Sequence, residues 1–141
     1  MPDLKLLALD QEDLDVISAF TQDAVMRVED VGYAQRDRRF ALLMNRYCWE
    51  DGSQARKGVR KRTALRFDNV TGLNSKGINL NARDGVLELL TIRFDVTDDP
   101  EGKITLTFSG GGEIELVVEC LEARLHDLGA AWAAQATPRH D

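Results

Sequence analysis

The chain of 141 residues carries 24 Asp or Glu against 18 Lys or Arg, a formal net charge of −6, and has the length of one domain able to bury a conventional core. An apolar share of 43%, a charged share of 30%, three prolines and eleven glycines exclude a disordered, collagen-like or low-complexity chain. No segment approaches the roughly 18 uninterrupted apolar residues of a membrane-spanning helix, and the apolar run after Lys5 is too short and too soon acidic for a signal peptide. A soluble cytoplasmic protein with no membrane contact is therefore expected.

Leu4 to Leu9 is expected as a short strand. Asp10 then stands as N-cap of a helix from Gln11 to Thr21. Leu14, Ile17 and Phe20 share one face at spacings of three, and Glu12 and Asp13 lie where the helix dipole favours negative charge. From Val25 the apolar period changes to two, the signature of successive antiparallel strands. Val25 to Tyr33 and Phe40 to Trp49 read as a hairpin around the polar turn Gln35 to Arg38. Glu50 to Gly58 reads as a loop, and Leu65, Phe67 and Val70 as the apolar side of the next strand.

Val86 to Phe94 is apolar enough for a central strand, ended by a turn at Asp98 to Gly102. Lys103 to Phe108 and Ile114 to Cys120 flank Ser109 to Glu113, a hairpin whose three glycines can take positive φ. The apolar parity slips near Cys120 and Leu121. A β-bulge would restore it, and a helix from Leu121 to Leu128 is the alternative. Residues 130–141 form a tail anchored through Trp132. The expected fold class is α+β: one domain spanning 1–141, predominantly an antiparallel β-sheet of six or seven strands, a sandwich or a partly closed barrel, with the N-terminal helix over one face or end.

Five segments carry a family resemblance: Asp10 to Leu14, Gln22 to Val25, Arg39 to Leu42, Leu65 to Phe67, and Val118 to Gly129. Together they resemble the alphaproteobacterial family of unknown function DUF2948 over nearly the whole chain. The resemblance implies a bacterial cytosolic protein and brings with it no activity, cofactor or catalytic residue.

Charge is unevenly distributed. From Arg36 to Arg66, ten Lys or Arg face three acids, about +7, which leaves about −13 on the rest of the chain. Within that window Arg56, Lys57, Arg60, Lys61 and Arg62 form a basic loop near Phe40, Tyr47, Trp49 and Phe67. Such a patch can neutralise phosphates while aromatic faces stack on bases. The plainer reading is a solvated loop beside core aromatics.

His126 beside Asp127 invites an acid-base reading, but adjacent residues on a strand point to opposite faces and would not form a dyad. Cys48 and Cys120 show neither a disulfide framework nor metal-ligand spacing and fit a reducing compartment. The glycine hairpin lacks the lysine and following helix of a phosphate-binding loop, and Asp95, Asp98, Asp99 and Glu101 do not match a calcium loop. No catalytic, cofactor-binding or metal residue is assigned. The leading expectation is an accessory or protein-interaction domain that docks on another protein or on itself. Nucleic acid or a phosphorylated ligand on the basic loop is the second, and the third is an enzyme using His126 with an acid such as Asp127 or Glu122, which calls for a concave pocket around His126.

Overall fold

The computed structural model describes residues 3–49 and 59–133. Among these, the chain forms one α-helix and ten strands: β1 (Lys5–Ala8), α1 (Gln11–Thr21), β2 (Val25–Arg27), β3 (Val31–Ala34), β4 (Arg39–Tyr47), β5 (Val59–Phe67), β6 (Val70–Lys76), β7 (Val86–Asp98), β8 (Glu101–Phe108), β9 (Glu113–Val118) and β10 (Ala123–Ala133). Every pairing is antiparallel. The strands follow the order β1-β10-β5-β4-β2-β7-β8-β9-β6, with β3 beside β4, and the sheet does not close on itself.

The helix starts where its cap predicts. The Asp10 carboxylate accepts the Asp13 amide at 2.8 Å, and Leu14, Ile17 and Thr21 are buried. Two polar side chains of the same helix then satisfy strand amides: Ile92 N–H donates to Ser18 Oγ at 3.0 Å and Phe94 N–H to Gln11 Oε1 at 3.3 Å. The helix thereby covers the stretch of β7 that β2, paired only to residues 86–88, leaves open.

Alternation places Phe40, Leu42 and Met44 of β4, Leu65 and Phe67 of β5, and Ala123 and Leu125 of β10 on the inner face. They meet Leu89 and Ile92 of β7, Leu106 and Phe108 of β8, and Leu116 and Val118 of β9 in one continuous core. Gly102 on β8 is required by close approach: a Cβ there would stand 2.4 Å from the Phe94 ring and 2.6 Å from the Asp95 carbonyl oxygen.

The antiparallel sheet, the N-terminal helix, the β3–β4 hairpin and the β8–β9 hairpin match the expectations, with Gly110 and Gly111 at φ 84° and 89°. The strand count does not, because three short or polar strands carry weak apolar alternation. Arg60 to Arg62, expected in the basic loop, belong to β5, where three consecutive basic side chains hide the inward alternation Lys61, Thr63, Leu65, Phe67. Val70 opens β6 after a turn in which Asn69 takes φ 61°. The parity slip at Cys120 is not a bulge within a strand. There the chain leaves β9 and crosses to β10, and the helical alternative for Leu121 to Leu128 gives way to strand. Residues 134–141 and the segment 50–58, expected as a loop, lie outside the described residues, whereas β10 continues through Ala133, paired with Val59.

Candidate functional site: an inner ion pair and an outer basic groove

The strand registers stack the inner residues of β4, β5 and β10 in rows. Phe40, Phe67 and Ala123 form the first and Leu42, Leu65 and Leu125 the second. In the third row Met44 and Thr63 meet Asp127, and Arg46 and Lys61 follow in the fourth. Apolar rows thus end in a buried polar layer. Arg46 and Asp127 side chains are both 0% exposed.

Arg46 donates through Nε to Asp127 Oδ1 at 3.0 Å and through Nη2 to Oδ2 at 2.8 Å, a bidentate pair. Thr63 Oγ1 donates to Oδ1 at 2.7 Å, and the Leu4 amide to Oδ2 at 2.9 Å. Lys61, also buried, pairs with Asp3 at 3.3 Å. No buried side-chain nitrogen or oxygen among the described residues lacks a partner.

Burial alone would raise the Asp127 carboxyl. The Arg46 guanidinium, the Leu4 amide and the Thr63 hydroxyl outweigh it and hold the group below the ordinary carboxylate value. Unfolding then takes up a proton between the folded and unfolded titration points. This group's contribution to stability is complete above an unfolded value of about 3.9 and is lost as pH falls through the lower, folded one. Urea unfolding between pH 2 and 5 is expected to show a slope of stability against pH that Asp127→Asn reduces by up to one proton, about 1.4 kcal/mol per pH unit. An unchanged slope would place the titrating groups elsewhere.

His126, one residue before Asp127, points to the opposite face and is exposed. The two form no dyad, as the strand geometry requires. The basic stretch is also divided. Lys61 points inward. Arg60 donates to the Asn45 carbonyl at 2.9 Å and to the Asp23 carbonyl at 3.3 Å, and lies 5.7 Å from the Tyr47 ring centre. Arg62 reaches Asn45 Oδ1 at 3.2 Å and Asp30 at 3.4 Å, while Arg56 and Lys57 lie outside the described residues. Of the neighbouring aromatics, Phe40 and Phe67 pack together in the core, and Trp49 donates its indole N–H to the Gln22 carbonyl at 2.9 Å. Neither Cys48, which is buried, nor Cys120, which is half-buried, forms a disulfide. Among the described residues no group of three or more His, Cys, Asp or Glu is disposed to hold a metal ion.

The outer face of the same strands carries a second arrangement. Register sets Lys5 beside His126, His126 beside Ala64 and Ala64 beside Leu43; the next outward row runs Leu7, Arg124, Arg66, Ala41. The small side chain of Ala64 leaves a depression between longer neighbours. The result is a groove of about 390 Å³ bordered by Lys5, Leu7, Arg66, Arg124 and His126, with no acid among its lining residues. Asp68 and Glu122 pair with Arg66 and Arg124 from outside it, at 3.1 and 3.3 Å. Leu7, Leu9, Leu43 and Leu128 hold outward positions on these strands or just beyond their ends and are between 37% and 59% exposed, four of the seven large apolar side chains exposed among the described residues.

Residues 4–140 match the model of a family described as protein of unknown function DUF2948. The chain belongs to that family. Comparisons with curated proteins and with solved structures return no match. In this DUF2948 chain the sequence points to the basic run at 56–62 and, of the groove's lining, to His126 alone, leaving Lys5, Leu7, Ala64, Arg66 and Arg124 unmarked. The groove needs β1, β10 and β5 side by side, strands drawn from the two ends and the middle of the chain. The available signal was outward alternation: Lys5 and Leu7, Ala64 and Arg66, Arg124 and His126.

Proposed function

We propose that this DUF2948 chain is a non-catalytic protein-interaction domain of the bacterial cytosol, working through the outer face of β1, β10, β5 and β4. The observation that carries the reading is the groove: four side chains able to carry positive charge and an apolar floor, without an acid, on a chain whose net charge is −6. Exposed apolar side chains beside cationic ones are a common mark of a docking surface. The buried Arg46–Asp127 pair is occupied with holding the fold, and His126 lies on the face opposite Asp127, which removes the adjacent pair as acid-base machinery. The engagement of Arg60 and Arg62 with neighbouring carbonyls and acids, and the inward course of Lys61, favour the groove over the basic stretch as the contact surface. Two cysteines outside any disulfide fit a reducing compartment.

The test is cross-linked capture from the source cells with the full chain, wild type beside Lys5→Glu/Arg124→Glu, both residues being exposed. A protein held by the wild type and recovered at least about tenfold less with the variant is the expected result, charge reversal on a steering surface having effects of that order. Equal recovery at unchanged thermal stability would overturn the assignment of this face.

A further inference from the structure

Resting on that reading of the outer face, we propose that the segment seated in the groove is the acidic tip of the β7–β8 hairpin of a second copy of this chain, so that copies associate head to tail. The tip runs from Val96 to Glu101, every residue of it exposed, with Asp98 and Glu101 paired across its end. Asp98, Asp99 and Glu101 form no ion pair among the described residues. Beside them Val96 is 59% exposed. The tip therefore offers three carboxylates and one aliphatic side chain on a projection two strands wide, about 5 Å between strands.

The groove presents the complement. Lys5, Arg66, Arg124 and His126 surround a floor at Ala64 and a wall at Leu7, in a depression of about 390 Å³ that lies open to solvent. Arg66 and Arg124 keep donors available, because their existing pairs with Asp68 and Glu122 are partly exposed and exchange readily. Tip and groove are different surfaces, separated in the sheet order by β4 and β2. A contact between unlike surfaces is heterologous and extends to rings or filaments instead of stopping at a two-fold dimer.

Sedimentation velocity of the full chain, from micromolar to millimolar concentration, tests this. The wild type is expected to associate reversibly and about tenfold or more weakly at 1 M salt than at 0.1 M, where the screening length is about 3 Å against about 10 Å. Arg124→Glu, which removes the groove, and Asp98→Lys/Asp99→Lys, which removes the tip, are each expected to remain monomeric where the wild type associates. Mixed together they are expected to form a one-to-one complex, since one retains an intact tip and the other an intact groove. A wild type that stays monomeric throughout, association that survives either variant, or a mixture that stays monomeric would each overturn the head-to-tail contact. The tip variant separates this inference from the broader reading. With an intact groove it retains a capture partner that is another protein, whereas loss of capture by the groove variant alone supports the docking face without self-association.

Discussion

Arg46→Ala is expected to lower the unfolding free energy by about 3–5 kcal/mol, because it leaves the Asp127 carboxylate buried beside Thr63 and the Leu4 amide without its cation. That is a large share of the roughly 5–15 kcal/mol by which a domain is stable. Asp127→Ala is expected to cost a similar amount, this time removing the bidentate partner of a guanidinium that is 0% exposed. The apolar pair Arg46→Met/Asp127→Leu should recover most of the loss, since replacing both charges by side chains of similar volume removes the desolvation penalty together with the attraction. Urea unfolding followed by Trp fluorescence compares the wild type with these three variants. Single variants that each cost less than about 1 kcal/mol would show that the pair is hydrated in solution.

Phe67→Ala is expected to cost about 3–5 kcal/mol, within the range for deleting a buried ring. Phe67 is 0% exposed on β5, in register with Phe40 on one side and Ala123 on the other, and its ring lies 6.4 Å from that of Phe40. Because both neighbouring strands are fixed by the ladder, the surroundings collapse little into the space. Phe67→Leu, which restores much of the volume, is expected to cost about 1 kcal/mol. Denaturant midpoints and slopes of the two variants separate cavity formation from a change in cooperativity. A Phe67→Ala variant within 1 kcal/mol of wild type would mean that this row is not a packed part of the core.

The legible parts of the fold were those specified by neighbours in sequence. Asp10 with Asp13, the three-residue spacing of Leu14 and Ile17, and the glycines between β8 and β9 each state their structure within a few positions. The family followed from short segments scattered along the whole chain, and the match over residues 4–140 agrees with it. The start of β5 was not legible, because the outward-pointing Arg60 and Arg62 are as basic as Lys61 between them, so no alternation of polarity shows. Arg46 and Asp127 read as surface residues by type. Only the pairing of Thr63 with both Met44 and Asp127 reveals that the two charges meet inside. The groove was hidden for the same reason, since its walls come from positions about 60 to 120 apart in the chain.

The pairing of the first strand with the last has a consequence for biosynthesis. A ribosome delivers β4 and β5 well before β10, so throughout most of translation one edge of β5 lacks its neighbour and Arg46 lacks Asp127. The Leu4 amide waits longest, its carboxylate partner lying 123 positions downstream. Contacts of such long range make folding slow for its size, and an unpaired edge in the nascent chain is open to pairing with another copy on the same message. Completion of the sheet therefore waits for the synthesis of β10, and until then the bare edge of β5 is open to pairing with another strand.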